Sequence, residues 1–194
     1  MEFGILGPLS VSTDGRELPL APQQRMLLAV LLLHAGDPGS IGRLIDDLWG
    51  EETPATAATA VRVRISGLRK VGEGVIETHA LGYVIRLEED ALDAARFERL
   101  LEQGCQLLAE GAAAEADQAL GQALQPWRGP ALAKFRYEEL ARSETPRPQE
   151  LHVVALGARP EAAGGLGRHI DVLPELEDLP PPVAPLGVRW LVPT

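Results

Sequence analysis

From Met26 to Leu33 the chain is apolar without a break, inside a helix-favouring stretch that runs from about Pro22 to Ala35. Wound at 3.6 residues per turn, Met26, Leu27, Leu28, Val30, Leu31, Leu32 and Leu33 point to nearly every side. A helix of this kind cannot lie on a surface. It must be covered all round, and it predicts the buried centre of a domain. The run is far shorter than the roughly 18–20 residues of a membrane span.

The flanking sequence supplies the cover. Phe3-Gly4-Ile5-Leu6-Gly7, Leu9-Ser10-Val11-Ser12 and Arg16-Glu17-Leu18-Pro19-Leu20 read as short strands. Thr13-Asp14-Gly15 before the last of them is a hairpin signal. Gly36 stops the apolar helix. Ser40 is placed to cap a second helix, Ile41 to Trp49, which Gly50 ends. Thr53-Pro54 opens a third, from about Ala55 to Val71, with proline at its first position. Val75 to Thr78 and Tyr83 to Leu87 flank His79-Ala80-Leu81-Gly82 as a second hairpin. The order is strands, three helices, hairpin.

The net charge of −10 argues against nucleic acid as a partner, but placement matters more than the total. Thr53 to Val71 holds Arg62, Arg64, Arg69 and Lys70 and no acidic residue. At 100° per residue, Ala57, Ala58, Val61, Ile65 and Leu68 fall within about 60° of one direction and form a buried face. Arg69, Arg62, Ser66, Thr59, Lys70 and Val63 follow round the opposite arc, and Arg64 lies on the margin of the apolar stripe. This mixture suits a DNA major groove. Arginine pairs with guanine or phosphate, Thr59 and Ser66 donate or accept, and an exposed Val63 can meet a thymine methyl. The helix N-terminus favours phosphate. The hairpin behind it, with His79, is placed to reach the adjacent minor groove. A solvated basic face is the ordinary alternative and has the same charge pattern.

Glu88-Glu89-Asp90 marks a boundary, after which the pattern is helical. Phe97, Leu100, Leu101, Gly104 and Leu108 line one helix, and Ala116, Ala119, Leu120, Ala123 and Leu124 line the next. A turn at Glu110-Gly111 joins them into a helical hairpin, the unit of repeat solenoids. Trp127-Arg128-Gly129-Pro130 ends the pair, and a further helix is expected from about Ala131 to Ser143. Beyond Glu144 stand Pro146, Pro148, Pro160, Pro174, Pro180, Pro181, Pro182, Pro185 and Pro193, nine of the chain's 16 prolines. Prolines and Gly164-Gly165 are expected to interrupt helices there. Leu179 to Thr194 reads as an irregular tail.

Catalytic chemistry finds no footing in the sequence. His34, His79, His152 and His169 are scattered, and Cys105 is the only cysteine. No metal-ligand spacing and no internal disulfide can be drawn. Cys105 and Trp49 read as packing residues, and Ser40 as a cap rather than a nucleophile. No cofactor and no enzyme activity are expected. The lone thiol and the lack of a basic leader predict a cytoplasmic protein with no membrane contact.

Several motifs, in order, resemble a known family. Phe3 to Leu9, Arg43-Leu44-Ile45-Asp46-Asp47-Leu48-Trp49-Gly50, Pro54-Ala55-Thr56-Ala57, Val63 to Lys70 and Gly82-Tyr83 resemble the OmpR-type winged helix of the Streptomyces antibiotic regulatory proteins. Asp93-Ala94-Ala95-Arg96-Phe97-Glu98 and Trp127-Arg128-Gly129-Pro130-Ala131-Leu132 resemble the bacterial transcriptional activation domain that follows it there. The likeness covers about residues 1 to 145. It implies an α+β winged helix (N-terminal strands, three helices, C-terminal hairpin wing) over residues 1–90. An all-α, TPR-like helical domain follows over 91–178, incomplete at its C-terminus, and then the tail, 179–194. It also implies a sequence-specific activator that binds promoter direct repeats in double-stranded DNA, as two copies in tandem, and recruits RNA polymerase. By the same likeness Arg62, Val63, Arg64 and Arg69 lie where family members face DNA.

The chain departs from the family pattern in three places. Gly67 stands where a basic residue is usual, and His79 where the wing usually has arginine. Beyond Thr145 only echoes of the family's long helices remain, as in Gly167-Arg168-His169 and Leu173-Pro174-Glu175-Leu176, so a truncated or degenerate member is expected. The chain begins directly on the winged helix, so phosphorylation of an in-chain receiver aspartate is not expected as a switch. The competing expectation is a helical protein-interaction module with weak DNA binding.

Overall fold

In the computed structural model, which describes residues 1–72, 74–135 and 146–165, the apolar helix is the centre around which the N-terminal part is built. Helix α1 (Pro22–Leu33) buries Leu27 through Leu32. Pro22 stands in its first turn, and the Gln24 side chain accepts the Ala21 N–H at 3.1 Å. The helix ends two residues earlier than expected, at Leu33. Two antiparallel sheets and two more helices cover it. Strands β1 (Glu2–Gly4), β2 (Ser10–Thr13) and β3 (Arg16–Glu17) form the first sheet in that order. Asp14 and Gly15 both take positive φ, +51° and +73°, which makes the Thr13–Arg16 connection a type I′ turn.

The second sheet holds a strand that the sequence reading missed. Gly39 and Ser40 form β4 (Gly39–Ser40), paired with Tyr83 and Gly82. The sheet order is β4, β6 (Gly82–Ile85), β5 (Ile76–His79), so the wing is anchored on one side. A two-residue strand leaves no periodicity to find. Helix α2 (Ile41–Trp49) starts where Ser40 caps it, its hydroxyl accepting the Arg43 N–H at 3.1 Å.

Helix α3 (Ala57–Val71) begins two residues later than expected. Pro54 is not its first residue. The Pro54 carbonyl instead accepts the Ala57 N–H at 2.9 Å and closes a turn ahead of the helix. Thr56, with ψ of 8°, is not yet helical and makes no side-chain cap. Thr53 caps nothing either; its hydroxyl donates back to the Gly50 carbonyl at 3.0 Å. Ala57, Val61, Ile65 and Leu68 are buried against α1 and α2, as the helical angle requires, and Ala58 is half-buried.

The second half is the expected helical hairpin. Helix α4 (Asp93–Ala109) and helix α5 (Ala113–Leu124) turn at Gly111, with φ of +77°. They approach closely at Gly104, where a Cβ would lie 2.7 Å from the Leu120 side chain. Of the helix expected over Ala131 to Ser143, the structure shows a 3-10 turn at Ala133–Phe135, and residues 136–145 lie outside the described ones.

Residues 146–165 correct the reading of a proline-broken segment. Helix α6 (Pro146–Gly165) runs through them and packs on α5 and α4. Pro146 and Pro148 fall in its first turn, where a missing N–H leaves no hydrogen bond unmade. Pro160 gives up one interior bond. Packing offsets it: Ala155, Leu156 and Ala162 are buried, Arg159 meets Asp117 at 3.4 Å, and the His152 ring stacks on Trp127 at 3.8 Å. The motifs from Gly167 to Leu176 and the segment Leu179 to Thr194 lie outside the described residues.

The two halves share one hydrophobic cluster, which runs from Phe3 to Ala162. The segment after β1 is the connector. Ile5 and Leu6 are 3% and 0% exposed. Their N–H groups donate to the two carboxylate oxygens of Asp93, at 2.8 and 3.1 Å. Their carbonyls accept from the N–H groups of Leu132 and Arg128, both at 2.9 Å. The Arg128 guanidinium reaches Asp93 at 3.3 Å and Ser10 at 2.9 Å. Burial pushes the Asp93 carboxyl above its usual range, against the pull of the Ile5 and Leu6 N–H groups and Arg128. The two family motifs of this half therefore hold the winged helix to the helical domain.

Candidate nucleic-acid interface

Burying Ala57, Val61, Ile65 and Leu68 turns the other side of α3 to solvent. Thr59, Arg62, Val63, Ser66 and Lys70 are all exposed there, Val63 at 66%. Spacings of three and four residues stack them along one face, about three turns long. A valine that open has no packing role in the free chain. The acidic residues of the protein are absent from this helix.

The two remaining arginines are engaged within the fold. Arg64 is half-buried at the helix margin, its guanidinium carbon 4.7 Å from the centre of the Trp49 ring. Burial lowers its pKa from the ordinary arginine value, and its buried Nε has no hydrogen-bond partner among the described residues. Trp49 thus carries a cation as well as packing against the core. Arg69 turns towards the wing. Its Nε donates to the Ile76 carbonyl at 2.9 Å and its Nη2 to the Thr78 hydroxyl at 2.8 Å. Its guanidinium carbon lies 5.7 Å from the Tyr83 ring centre.

Thr78 and Tyr83 are contacts of Arg69 that the sequence reading missed. They are cross-strand partners in a hairpin whose tip is only Ala80-Leu81. The expected four-residue loop hid that register. His79 is exposed at the tip's base, and its Nδ1 accepts the Leu81 N–H at 3.3 Å. Leu81 is 66% exposed. The wing's own charged pair, Arg86 and Glu77, is closed at 3.0 Å.

Gly67 is half-buried beside α1. A Cβ there would collide with the Gln24 amide, the group that also caps α1. Six of the eight predicted contacts thus stand open to solvent (Thr59, Arg62, Val63, Ser66, Lys70 and His79), and Arg64 and Arg69 do not. Among the described residues, no three His, Cys, Asp or Glu side chains gather as metal ligands, and no helix is long and apolar enough to cross a membrane.

Family comparisons agree with this arrangement. The family model described as "Transcriptional regulatory protein, C terminal" matches residues 15–85, and that of the bacterial transcriptional activator domain matches 92–180. Regulatory protein AfsR of Streptomyces coelicolor is 44% identical over 136 residues, 69% of this chain and 14% of AfsR. Transcriptional regulatory protein EmbR of Mycobacterium tuberculosis is 33% identical over 92% of this chain and 48% of its own. Regulatory protein DnrI of Streptomyces peucetius is 32% identical over 92% of this chain and 71% of its own. A solved structure of Mycobacterium tuberculosis EmbR in complex with a low-affinity phosphopeptide superposes with a TM-score of 0.85 at 32% identity, over 91% of this chain and 48% of that one. This chain therefore spans less than half of EmbR and a small part of AfsR. With both domain models in order, and with most of DnrI covered, the chain belongs to the family of Streptomyces antibiotic regulatory protein-type transcription regulators.

Proposed function

We propose that this chain binds double-stranded DNA in a sequence-specific manner, with α3 in the major groove, and activates transcription from promoter direct repeats. One observation carries the reading: Thr59, Arg62, Val63, Ser66 and Lys70 form a single solvent-facing surface in a chain of net charge −10. Arg62 and the two hydroxyls read base edges, Val63 meets a thymine methyl, and Lys70 binds phosphate. The wing, with His79 and Leu81 at its tip, lies along the neighbouring minor groove. Residues 1–90 act as the DNA-binding unit and 91–178 as the activation unit, which contacts RNA polymerase. Two copies bind in tandem on a direct repeat. The protein acts in the cytoplasm, as a regulator and not as an enzyme.

Anisotropy titration with direct-repeat duplexes at several salt concentrations tests this. Affinity should fall steeply and linearly on a log–log plot as salt rises. Arg62→Ala should cost about 1–3 kcal/mol of binding and relax preference at one base pair. Undetectable binding at about 50 mM salt would refute DNA reading and favour a protein-interaction module.

A further inference from the structure

We infer that Arg69 is a positioning residue, which fixes the wing to the recognition helix, and is not one of the cations that neutralise phosphate. The inference deepens the DNA-binding reading above and rests on it. Arg69 stands in the last turn of α3, seven residues before Ile76. One guanidinium touches the backbone of β5 through Ile76, a side chain of β5 through Thr78, and a ring of β6 through Tyr83. It therefore grips both strands of the hairpin at once.

The place it grips needs holding. In the order β4–β6–β5, strand β5 lies at the sheet edge, with β6 as its only neighbouring strand. Edge strands carry backbone groups with no ladder partner. The Arg69 Nε–H satisfies one of them, the Ile76 carbonyl. A planar fork can serve that carbonyl and the Thr78 hydroxyl together, and it can lie over Tyr83 as well. A lysine ammonium is a point charge and cannot do all three. Lys70, next in sequence, is exposed and meets solvent instead. The basic cluster is thus divided by role. Counting four equal cations on this helix overstates its grip on phosphate.

The two roles respond differently to lysine. A phosphate contact survives as Arg69→Lys, because the charge stays. A brace does not. In the full chain without DNA, Arg69→Ala and Arg69→Lys should raise hydrogen exchange across residues 76–85 by about tenfold, the loss of a hydrogen-bond pair. Exchange in α4 and α5 should not change. Thr78→Ala should give a smaller rise in the same place. With DNA, both Arg69 variants should bind about tenfold more weakly, on salt plots parallel to that of the native chain, whereas Lys70→Ala should flatten the slope by about 0.9. Native-like binding by Arg69→Lys would overturn the inference. So would a slope flattened by about 0.9 in Arg69→Ala, or unaltered exchange in the wing. If the native chain fails to bind DNA, the functional proposal falls, and the exchange experiment still decides the brace.

Discussion

Two joints of this molecule use similar parts and differ in how deeply their bonds are buried. At the first, Arg69 holds the wing to α3 through one carbonyl and one hydroxyl. At the second, Asp93 and Arg128 hold the segment Ile5-Leu6 to the helical domain. At the wing the Thr78 bond is exposed and the Ile76 bond half-buried, and each contributes about 0.5–1.5 kcal/mol net. The two bonds from Ile5 and Leu6 to Asp93 are buried, and a donor there that loses its acceptor stays unpaired at about 1–3 kcal/mol. The buried joint sets the architecture. The exposed one can be adjusted without unfolding the chain, as the geometry of a reading head requires.

The largest expected effect is at the buried joint. Asp93→Ala strands the N–H groups of Ile5 and Leu6 and should destabilise the chain by roughly 2–4 kcal/mol. A calorimetric melt should show a drop of about 5–15 °C. Adding Arg128→Ala should cost less than its effect alone, because the two residues serve one network. A melt within a degree or so of native would erase the contrast between the joints.

A middle-sized effect comes from pH. The half-buried His152 ring stacks on Trp127, and this burial lowers its pKa from 6.5. The folded chain thus favours the neutral ring. Its contribution is complete above pH 6.5 and is lost as pH falls through the lowered folded value. Asp93 has the opposite sign. Its raised carboxyl contributes most below 3.8, and the contribution is lost as pH rises through the folded value. Urea melts between about pH 7.5 and 5 should show the native chain losing stability relative to His152→Phe. A gap that stays constant with pH would show that the ring titrates as it does in the unfolded chain.

The smallest effect sharpens the contrast from the other side. Arg86 and Glu77 pair on the wing with more than half of each side chain exposed. Glu77→Ala should leave the melting temperature within about a degree, since such pairs contribute little. A larger drop would mean that the wing's surface bonds matter to global stability and that the two joints are not distinct.

What could be read in advance was whatever repeats or caps locally. The buried positions of α3 follow from angle alone. Asp14-Gly15 requires its turn, and Ser40 its cap. The start of α3 was misplaced because Pro54 suits a helix start and a turn equally well. Helix α6 was obscured because its prolines were weighed without position, and two of them cost nothing where they stand. The role of Asp93 had no local signal at all, since its partners are 88 and 87 residues away. Arg69 was grouped with Arg62 because angle says where a side chain starts and not where a long one ends. That the Gln24 amide lies against Gly67 has no local signal either, since the two residues are on different helices.

The Ile5–Asp93 contact also sets an order of events during synthesis. The carboxylate partner of Ile5 is made 88 residues after it, and Leu132 later still. At about 5–20 residues per second, Ile5 and Leu6 wait roughly 6–25 s for the last of these partners. Helices α1 to α3 can collapse first, because their contacts are closer in sequence. Ile5 and Leu6 are among the last residues of the described fold to gain all their partners.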